Sequence, residues 1–370
     1  MSIYILGFIG LQTIALLWIL FNSAFIKPFV ISESSTPKPF VSVLIPMRNE
    51  ERNIEELIHS LQTLSYSSFE CILLDDQSSD QTRLLTERAI QNDPRFSLIE
   101  GQPLPEGWNG KVHGCHQLSQ FAEGDLLLFI DADVRLAPDT IERTISTMAK
   151  HDAGMISGFP HYGDRSHLSQ LLVTLQHFVV YAHLPTIIAN KTKLPSFTAA
   201  CGGFIAFTKE AYESIGGHAS VHSSLLEDVH LARVTKKNGF KMLLVNISSH
   251  VTCYMYESIQ EAIEGFTKNI FIGINKSKVI AFFLICWYTL MYIVPTPLFV
   301  YSIWSGNSML SLPLLISIAQ KVWVDYKNGT LLRYSLFMPL SALLFVFVLA
   351  RSMYTSITGK AYTWKGRSYS

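Results

Sequence analysis

The sequence predicts an α/β domain with a mainly parallel sheet, carried between membrane-crossing helices at the two ends of the chain. Three observations lead there. Short apolar strands alternate with stretches of helical periodicity through the middle of the chain, most of those strands close on polar or acidic residues, and charge-free apolar runs stand at both ends. The chain has 370 residues, 49% of them hydrophobic and only 16% charged. That length suits one domain of about 250 residues plus membrane helices. With 29 basic and 29 acidic side chains there is no cationic excess, which argues against a nucleic-acid partner.

Ile3 to Phe21 carries no charge, and about 20 apolar residues suffice to cross a bilayer as a helix. Met1-Ser2 lacks the basic start of a cleaved signal, and the helix runs on into Lys27-Pro28, so residues 1–26 are expected to be an uncleaved anchor. The domain expected over residues 38–275 opens with a strand at Phe40–Ile45, ending at Pro46. A helix over Asn49–Thr63 follows, with Ile54, Leu57, Ile58 and Leu61 on one face. Glu70–Leu74 is a second strand and runs into Asp75-Asp76. Arg83–Gln91 is helical, Phe96–Glu100 is a third strand, and Leu126–Ile130 is a fourth that runs into Asp131-Ala132-Asp133. Helices at Pro138–Lys150 and Val229–Asn238 and a strand at Met242–Val245 complete the pattern. Alternation of this kind implies a parallel sheet covered on both faces, with ligands bound beyond the carboxyl ends of the strands.

Tyr256–Phe271 places Ile259, Ile263, Phe266 and Ile270 on one helical face, either at the membrane interface or against the domain. Residues 276–352 form the second membrane region. Val279–Trp304 is charge-free but contains Pro295 and Pro297, and Tyr334–Ala350 lies between Arg333 and Arg351. Met309–Ala319, which stops before Lys321, Asp325 and Lys327, is too short to span and reads as interfacial or re-entrant. Lys27, Lys38, Lys276 and Lys278, with Lys360, Lys365 and Arg367 in the basic tail 353–370, put the middle domain and tail in the cytoplasm by the positive-inside rule. Three spans satisfy that arrangement, with four as the alternative. The five cysteines form no CxxC pair, consistent with reduced thiols.

The chemistry-bearing residues follow from that frame. Asp131 and Asp133, two apart on an extended chain, point the same way, and hard carboxylate oxygens suit Mg²⁺ or Mn²⁺ shared with a phosphate. Asp75 and Asp76 can accept hydrogen bonds from a base or ribose, while Asp80 serves equally as a helix cap. Glu227-Asp228 opens a helix, where carboxylates are favoured by the dipole; Asp228 is also placed to act as a general base. Lys111, in the loop Gly107-Trp-Asn-Gly-Lys111, is a cation for a diphosphate or a solvated lysine. His113 and His116 with Cys115 lack the second ligand pair of a zinc site. Gly202 and Gly203, within Ala199–Gly203, and the Gly216-Gly217-His218 turn permit close approach of a ligand or are ordinary turns.

Taken in order, VSVLIPMRNEERNI, LLDDQSSDQT, FIDADV and LLEDVHLA resemble the family 2 inverting glycosyltransferases over about residues 40 to 275. PEGWNGKVHGCHQL and the tail segment TWKGRSY are similar to a membrane-bound subgroup that glycosylates lipids, most of all the C30 carotenoid type. The resemblance implies a GT-A fold and transfer of one hexose, with inversion, from a UDP-sugar to a membrane lipid. It implies that Asp76, with Asp75 beside it, binds uracil and ribose, and that Asp131 and Asp133 hold the metal and diphosphate. Glu50 and Lys111 fall on the donor side, and Gly202, Gly203 and Glu227 on the acceptor side; Asp228 would be the base, and His250 a further metal or phosphate contact. The Gln/Arg-x-x-Arg-Trp motif of processive synthases is absent. Phe266-Thr-Lys-Asn269 stands in its place, with Lys268 supplying a cation toward the acceptor. A processive polysaccharide synthase and a sterol, hopanoid or ceramide glucosyltransferase remain the alternatives.

Overall fold

A computed structural model describes residues 3–31 and 38–358, and the backbone of 362–364 and 367–369. The tail cations Lys360 and Lys365, and the side chain of Arg367, lie outside the described residues. The chain forms two compact units. One contains Ile26–His161 and Pro185–Tyr254; the other contains Met1–Phe25, Tyr162–Leu184 and Met255–Ser370. Tyr162–Leu184, which the sequence reading assigns to the catalytic domain, thus packs with the apolar helices.

The strands in chain order are β1 (Lys27–Pro28), β2 (Val41–Met47), β3 (Phe69–Asp75), β4 (Phe96–Glu100), β5 (Leu126–Ile130) and β6 (Val134–Leu136), followed by β7 (Met155–Ser157), β8 (His161–Tyr162), β9 (Phe204–Thr208), β10 (Met242–Asn246) and β11 (Val251–Cys253). Eight of them form one sheet in the order β1-β10-β7-β9-β5-β2-β3-β4. The expected strands and helices are present with slightly shifted ends, and β2, β3, β4 and β5 pair in parallel as expected. Their continuous apolar character reflects burial on both faces.

β9 was not anticipated. It runs antiparallel between β5 and β7, pairing Phe204 with Ile130 and Ile205 with Ser157. Because it runs backward, its entry, not its exit, lies at the carboxyl edge of the parallel strands, and Gly202-Gly203 is delivered beside Asp131. A second unanticipated element is the helix Gly110–Phe121, capped by Asn109, whose side chain accepts from Lys111 N. Its Val112, Cys115 and Leu118 join Leu44, Leu74, Leu127 and Phe207 in the core.

The other unit is a bundle of apolar helices. Ile3–Ser23, Lys278–Ser305 and Leu332–Ile357 are long and apolar enough to cross a membrane. The middle one contains a π-helical stretch, Thr289–Ile293, directly before its two prolines. Pro295 has no N–H to give the Met291 carbonyl four residues earlier, and that carbonyl instead accepts from the side-chain amide of Gln12. Gln320 then donates to the Gln12 backbone and side-chain oxygens, both at 3.0 Å, and accepts from Tyr292 Oη at 3.0 Å.

The short run Met309–Ala319 belongs to a helix, Leu312–Lys327, that continues through the charged residues expected to end it. Lys321 and Asp325 are one turn apart and pair with each other, and both are fully buried. Lys321 Nζ also donates to Thr174 Oγ1 at 3.0 Å, and Ser335 Oγ donates to Asp325 at 2.7 Å. Each charge is therefore compensated within the bundle. Ile259–Gly273, which falls within the domain expected over residues 38–275, packs instead in the apolar-helix unit: Ala262, Thr267 and Phe271 are its buried residues, and Ser352 Oγ donates to the Thr267 carbonyl at 2.5 Å.

Gly158, just after β7, marks a tight approach in the sheet unit. A Cβ there would lie 2.2 Å from the Val245 carbonyl oxygen, a backbone atom. Gly158→Ala is expected to cost about 1–3 kcal/mol through forced backbone displacement. It should lower the thermal unfolding midpoint in detergent, and an unchanged midpoint would contradict this packing.

Candidate active site

The carboxyl edge of the sheet gathers the loops after β2, β3 and β5 and the loop before β9. The first two are laced together. Asn49 and Gln77 take left-handed φ values of 53° and 54°, turning the chain sharply after β2 and β3. Asn49 N donates to Ser78 Oγ at 3.0 Å, Ser79 N to Asn49 Oδ1 at 2.8 Å, and Glu50 N to Thr82 Oγ1 at 2.7 Å. Arg48 Nη1 donates to the Asp76 and Gln77 carbonyls at 2.5 and 3.0 Å.

Asp75 and Asp76 are buried in this lacework. Asp75 accepts from Ser78 N at 3.2 Å. Asp80 bonds at the start of the following helix: it accepts from Thr82 N at 3.0 Å and Thr82 Oγ1 at 2.6 Å, and from Glu51 N at 3.2 Å. Burial pushes its pKa up, but the Thr82 and Glu51 hydrogen bonds outweigh that and hold it below the usual carboxylate range.

The third part is centred on a cation. Asn109 anchors the first turn of its helix, and the Lys111 ammonium lies 2.6 Å from Asp131 Oδ1 and 3.1 Å from Glu227 Oε1. Burial opposes its charge, but these two carboxylates dominate and raise its pKa well above the ordinary lysine value. Asp131 is shifted upward, by burial first, with Lys111 opposing. Asp228, in the first turn of the helix Glu227–Lys237, accepts from Gly202 N at 3.0 Å and Val229 N at 2.7 Å. Burial, then the neighbouring Glu227, pushes it up to about 7. A Cβ at Gly202 would fall 2.8 Å from Lys111 Nζ and 3.1 Å from Glu227 Oε1, so the glycine leaves both side-chain ends the room they occupy. The Gly203 position faces the other Asp131 oxygen, 3.9 Å from where its Cβ would be.

Asp131, Lys111, Glu227, Asp228, Gly202 and Gly203 thus converge. Asp133 follows two residues on, its carbonyl accepting from Tyr254 N at 2.9 Å; burial, then the Asp133 charge, raises the Cys253 thiol pKa. The His250 imidazole packs on Phe29 and lies 3.7 Å from Asp139. Lys268 lies on Ile259–Gly273 in the apolar-helix unit.

Three further histidines pack on aromatic rings. His113 and His116 pack against the Trp108 ring, with centroids 5.3 and 5.2 Å away. His218 is buried on Phe129 and shares a 2.8 Å hydrogen bond with Tyr212 Oη; burial lowers its pKa to about 3. Trp108 and the cap Asn109 escaped the sequence reading, although Asn before Gly-Lys-Val is a recognisable helix-start signal.

Asp131 and Asp133 are hard-oxygen donors at a strand end and fit Mg²⁺ or Mn²⁺. Among the described residues, no group of three or more His, Cys, Asp or Glu side chains is placed to hold a cation. Two carboxylates, with the remaining positions left to phosphate and water, is the usual arrangement for an ion bound together with a nucleotide.

Comparison with known proteins bears on the family and the fold. The model of glycosyl transferase family 21 matches residues 8–369. A relative named 4,4'-diaponeurosporenoate glycosyltransferase from Staphylococcus haemolyticus is 26% identical over 267 residues, covering 70% of this chain and 69% of its own. The protein of that name from Staphylococcus aureus is 25% identical, over 64% of this chain and 62% of its own, less than two thirds of its length. The solved structure of the mannosyltransferase PcManGT from Pyrobaculum calidifontis, in complex with GDP-Man and Mn²⁺, superposes with a TM-score of 0.55 at 16% identity. It covers 96% of this chain and 98% of that one, and shows the fold to be GT-A.

The raised Asp228 pKa has a signed consequence. The carboxyl ionises near 4 when unfolded but near 7 when folded, so the folded state retains the proton longer. Its contribution to stability is full below pH 4 and is lost as pH rises to 7. The unfolding midpoint in detergent should therefore fall between pH 4 and 7, and fall less in Asp228→Asn. Parallel profiles for the two proteins would refute the shift.

Proposed function

We propose that this chain, which belongs to glycosyl transferase family 21, transfers one hexose, glucose from UDP-glucose, with inversion to the carboxylate of a membrane lipid. That it is a glycosyltransferase with a GT-A domain follows from the family and the fold. The observation that carries the finer reading is the group around Gly202: a lysine bridging two carboxylates, and a third carboxylate on the glycine's own N–H. It combines a cation for a diphosphate, a carboxylate for a metal, and a base within one turn of a helix.

In this reading Asp75 and Asp76 receive the nucleoside, with Glu50 at the rim of the same lacework. Lys111 neutralises the diphosphate. A divalent cation held by Asp131 and Asp133 would supply further neutralisation of the leaving group. Gly202 and Gly203 let the sugar approach the backbone, and Glu227 keeps Lys111 charged until the donor arrives. The acceptor oxygen bonds to the anomeric carbon as the bond to the diphosphate oxygen breaks, and the nucleoside diphosphate departs. The relatives are named for diaponeurosporenoate, a carotenoid acid. A carboxylate acceptor is already ionised near neutrality and has no proton to lose, whereas a hydroxyl needs Asp228 as base. Lys27, Lys38, Lys276 and Lys278 support a cytoplasmic domain.

Membranes containing the protein, given labelled UDP-glucose or GDP-mannose, should label extractable lipid from UDP-glucose. EDTA or Asp133→Ala should abolish transfer, and Mg²⁺ or Mn²⁺ should restore it after EDTA. Persistent transfer in chelator would reject the metal. On a lipid acid, Asp228→Asn should retain substantial activity; on the matching alcohol it should lose roughly 10²-fold or more. Activity confined to the alcohol and removed by Asp228→Asn would overturn the carboxylate acceptor. A cysteine at Ser305, with Cys286 replaced by alanine, should react with an impermeant reagent from outside; labelling only after permeabilisation would reverse the orientation.

A further inference from the structure

We propose that Lys111 occupies the Asp131 carboxylate in the donor-free protein, so that the divalent cation enters with the nucleotide diphosphate and not ahead of it. This rests on the reading of Asp131 and Asp133 as the metal-holding pair. The ammonium is 2.6 Å from Asp131 Oδ1. Mg²⁺ bonds oxygen at about 2.0–2.1 Å, and an ion on the same oxygen would face a positive charge in near contact, without the phosphate oxygens that complete its coordination.

The geometry favours that position for the ammonium. Its backbone is fixed by the Asn109 cap, and Glu227 supplies a second anion at 3.1 Å. Gly202 leaves the space that a Cβ would take, 2.8 Å from Nζ. The lysine stem is flexible and its charge is a point charge, so the head group can leave Asp131 while the backbone stays in place. A diphosphate offers the ammonium more negative charge than Asp131 does. Its arrival therefore frees Asp131 Oδ1 and brings the missing oxygen ligands at once. Metal and nucleotide are then coupled: each raises the other's affinity by the same factor.

The test is Mn²⁺ binding to the purified full-length protein in detergent, read by electron paramagnetic resonance with and without UDP. In the wild type, UDP should tighten Mn²⁺ binding by at least about tenfold. Without UDP, Lys111→Met should bind Mn²⁺ at least about tenfold tighter than wild type, and UDP should tighten it less. Lys111→Arg, which retains the charge, should keep the weak nucleotide-free binding. Equal Mn²⁺ affinity of the wild type with and without UDP overturns the proposal whether or not the methionine variant folds. So does weaker or unchanged nucleotide-free binding by a folded Lys111→Met. Absence of Mn²⁺ binding to any of the proteins even with UDP would instead remove the metal-holding role of Asp131 and Asp133, and the proposal with it.

Discussion

Asp131, Glu227 and Asp228 approach one another at the carboxyl edge of the sheet, and like charges brought together out of bulk water repel strongly. The Lys111 ammonium offsets that repulsion by bonding two of them, and the third is held by backbone N–H groups. The rest of the sheet unit serves this compensation. The Asn109 cap fixes where the lysine starts, the loop before β9 brings a glycine that leaves room for the ammonium, and the helix after Leu226 begins where its N-terminal dipole favours carboxylates. A fold that gathers anions for chemistry must neutralise them before the substrate does, and here a residue of the same site does so.

The loops after β2 and β3 meet a different demand. Asp75 and Asp76 sit at the end of a buried strand, where unpaired carboxylates would be costly. The loops after β2 and β3 are held by hydrogen bonds through Asn49, Glu50, Ser78 and Thr82. Asp80 and Glu51 contribute to that lacing and have a structural role. The loops form a preorganised rim, ordered by these hydrogen bonds without a ligand.

The helical unit shows the same economy with polar groups in apolar surroundings. Pro295 frees a carbonyl and Gln12 takes it; Gln320 joins Gln12 to Tyr292; Lys321 and Asp325 neutralise one another. Aromatic packing fills the space between these contacts, as where Tyr288 stacks on Phe345 at 4.2 Å. Hydrogen bonds of this kind specify which helices pair when all their surfaces are apolar.

Periodicity and strand-end chemistry made much of this protein legible in the sequence. The parallel strands β2 to β5, the helices after β2 and β3, the three long apolar runs and the acidic strand ends follow from local pattern, because side-chain alternation and helical spacing are properties of consecutive residues. What could not be read locally were the pairings. β9 looks like any apolar strand, and only its neighbours decide that it runs backward and brings Gly202 to Asp131. Lys111 read as a loop cation because its partners lie 20 and 116 residues away. Leu312–Lys327 read as a short segment because the pairing that allows a helix to bury Lys321 and Asp325 depends on Thr174 and Ser335 as well. Residue types and their local period set the elements and the candidate chemistry. Strand direction and the compensation of buried charge come from contacts between distant segments, and only the tertiary structure decided them.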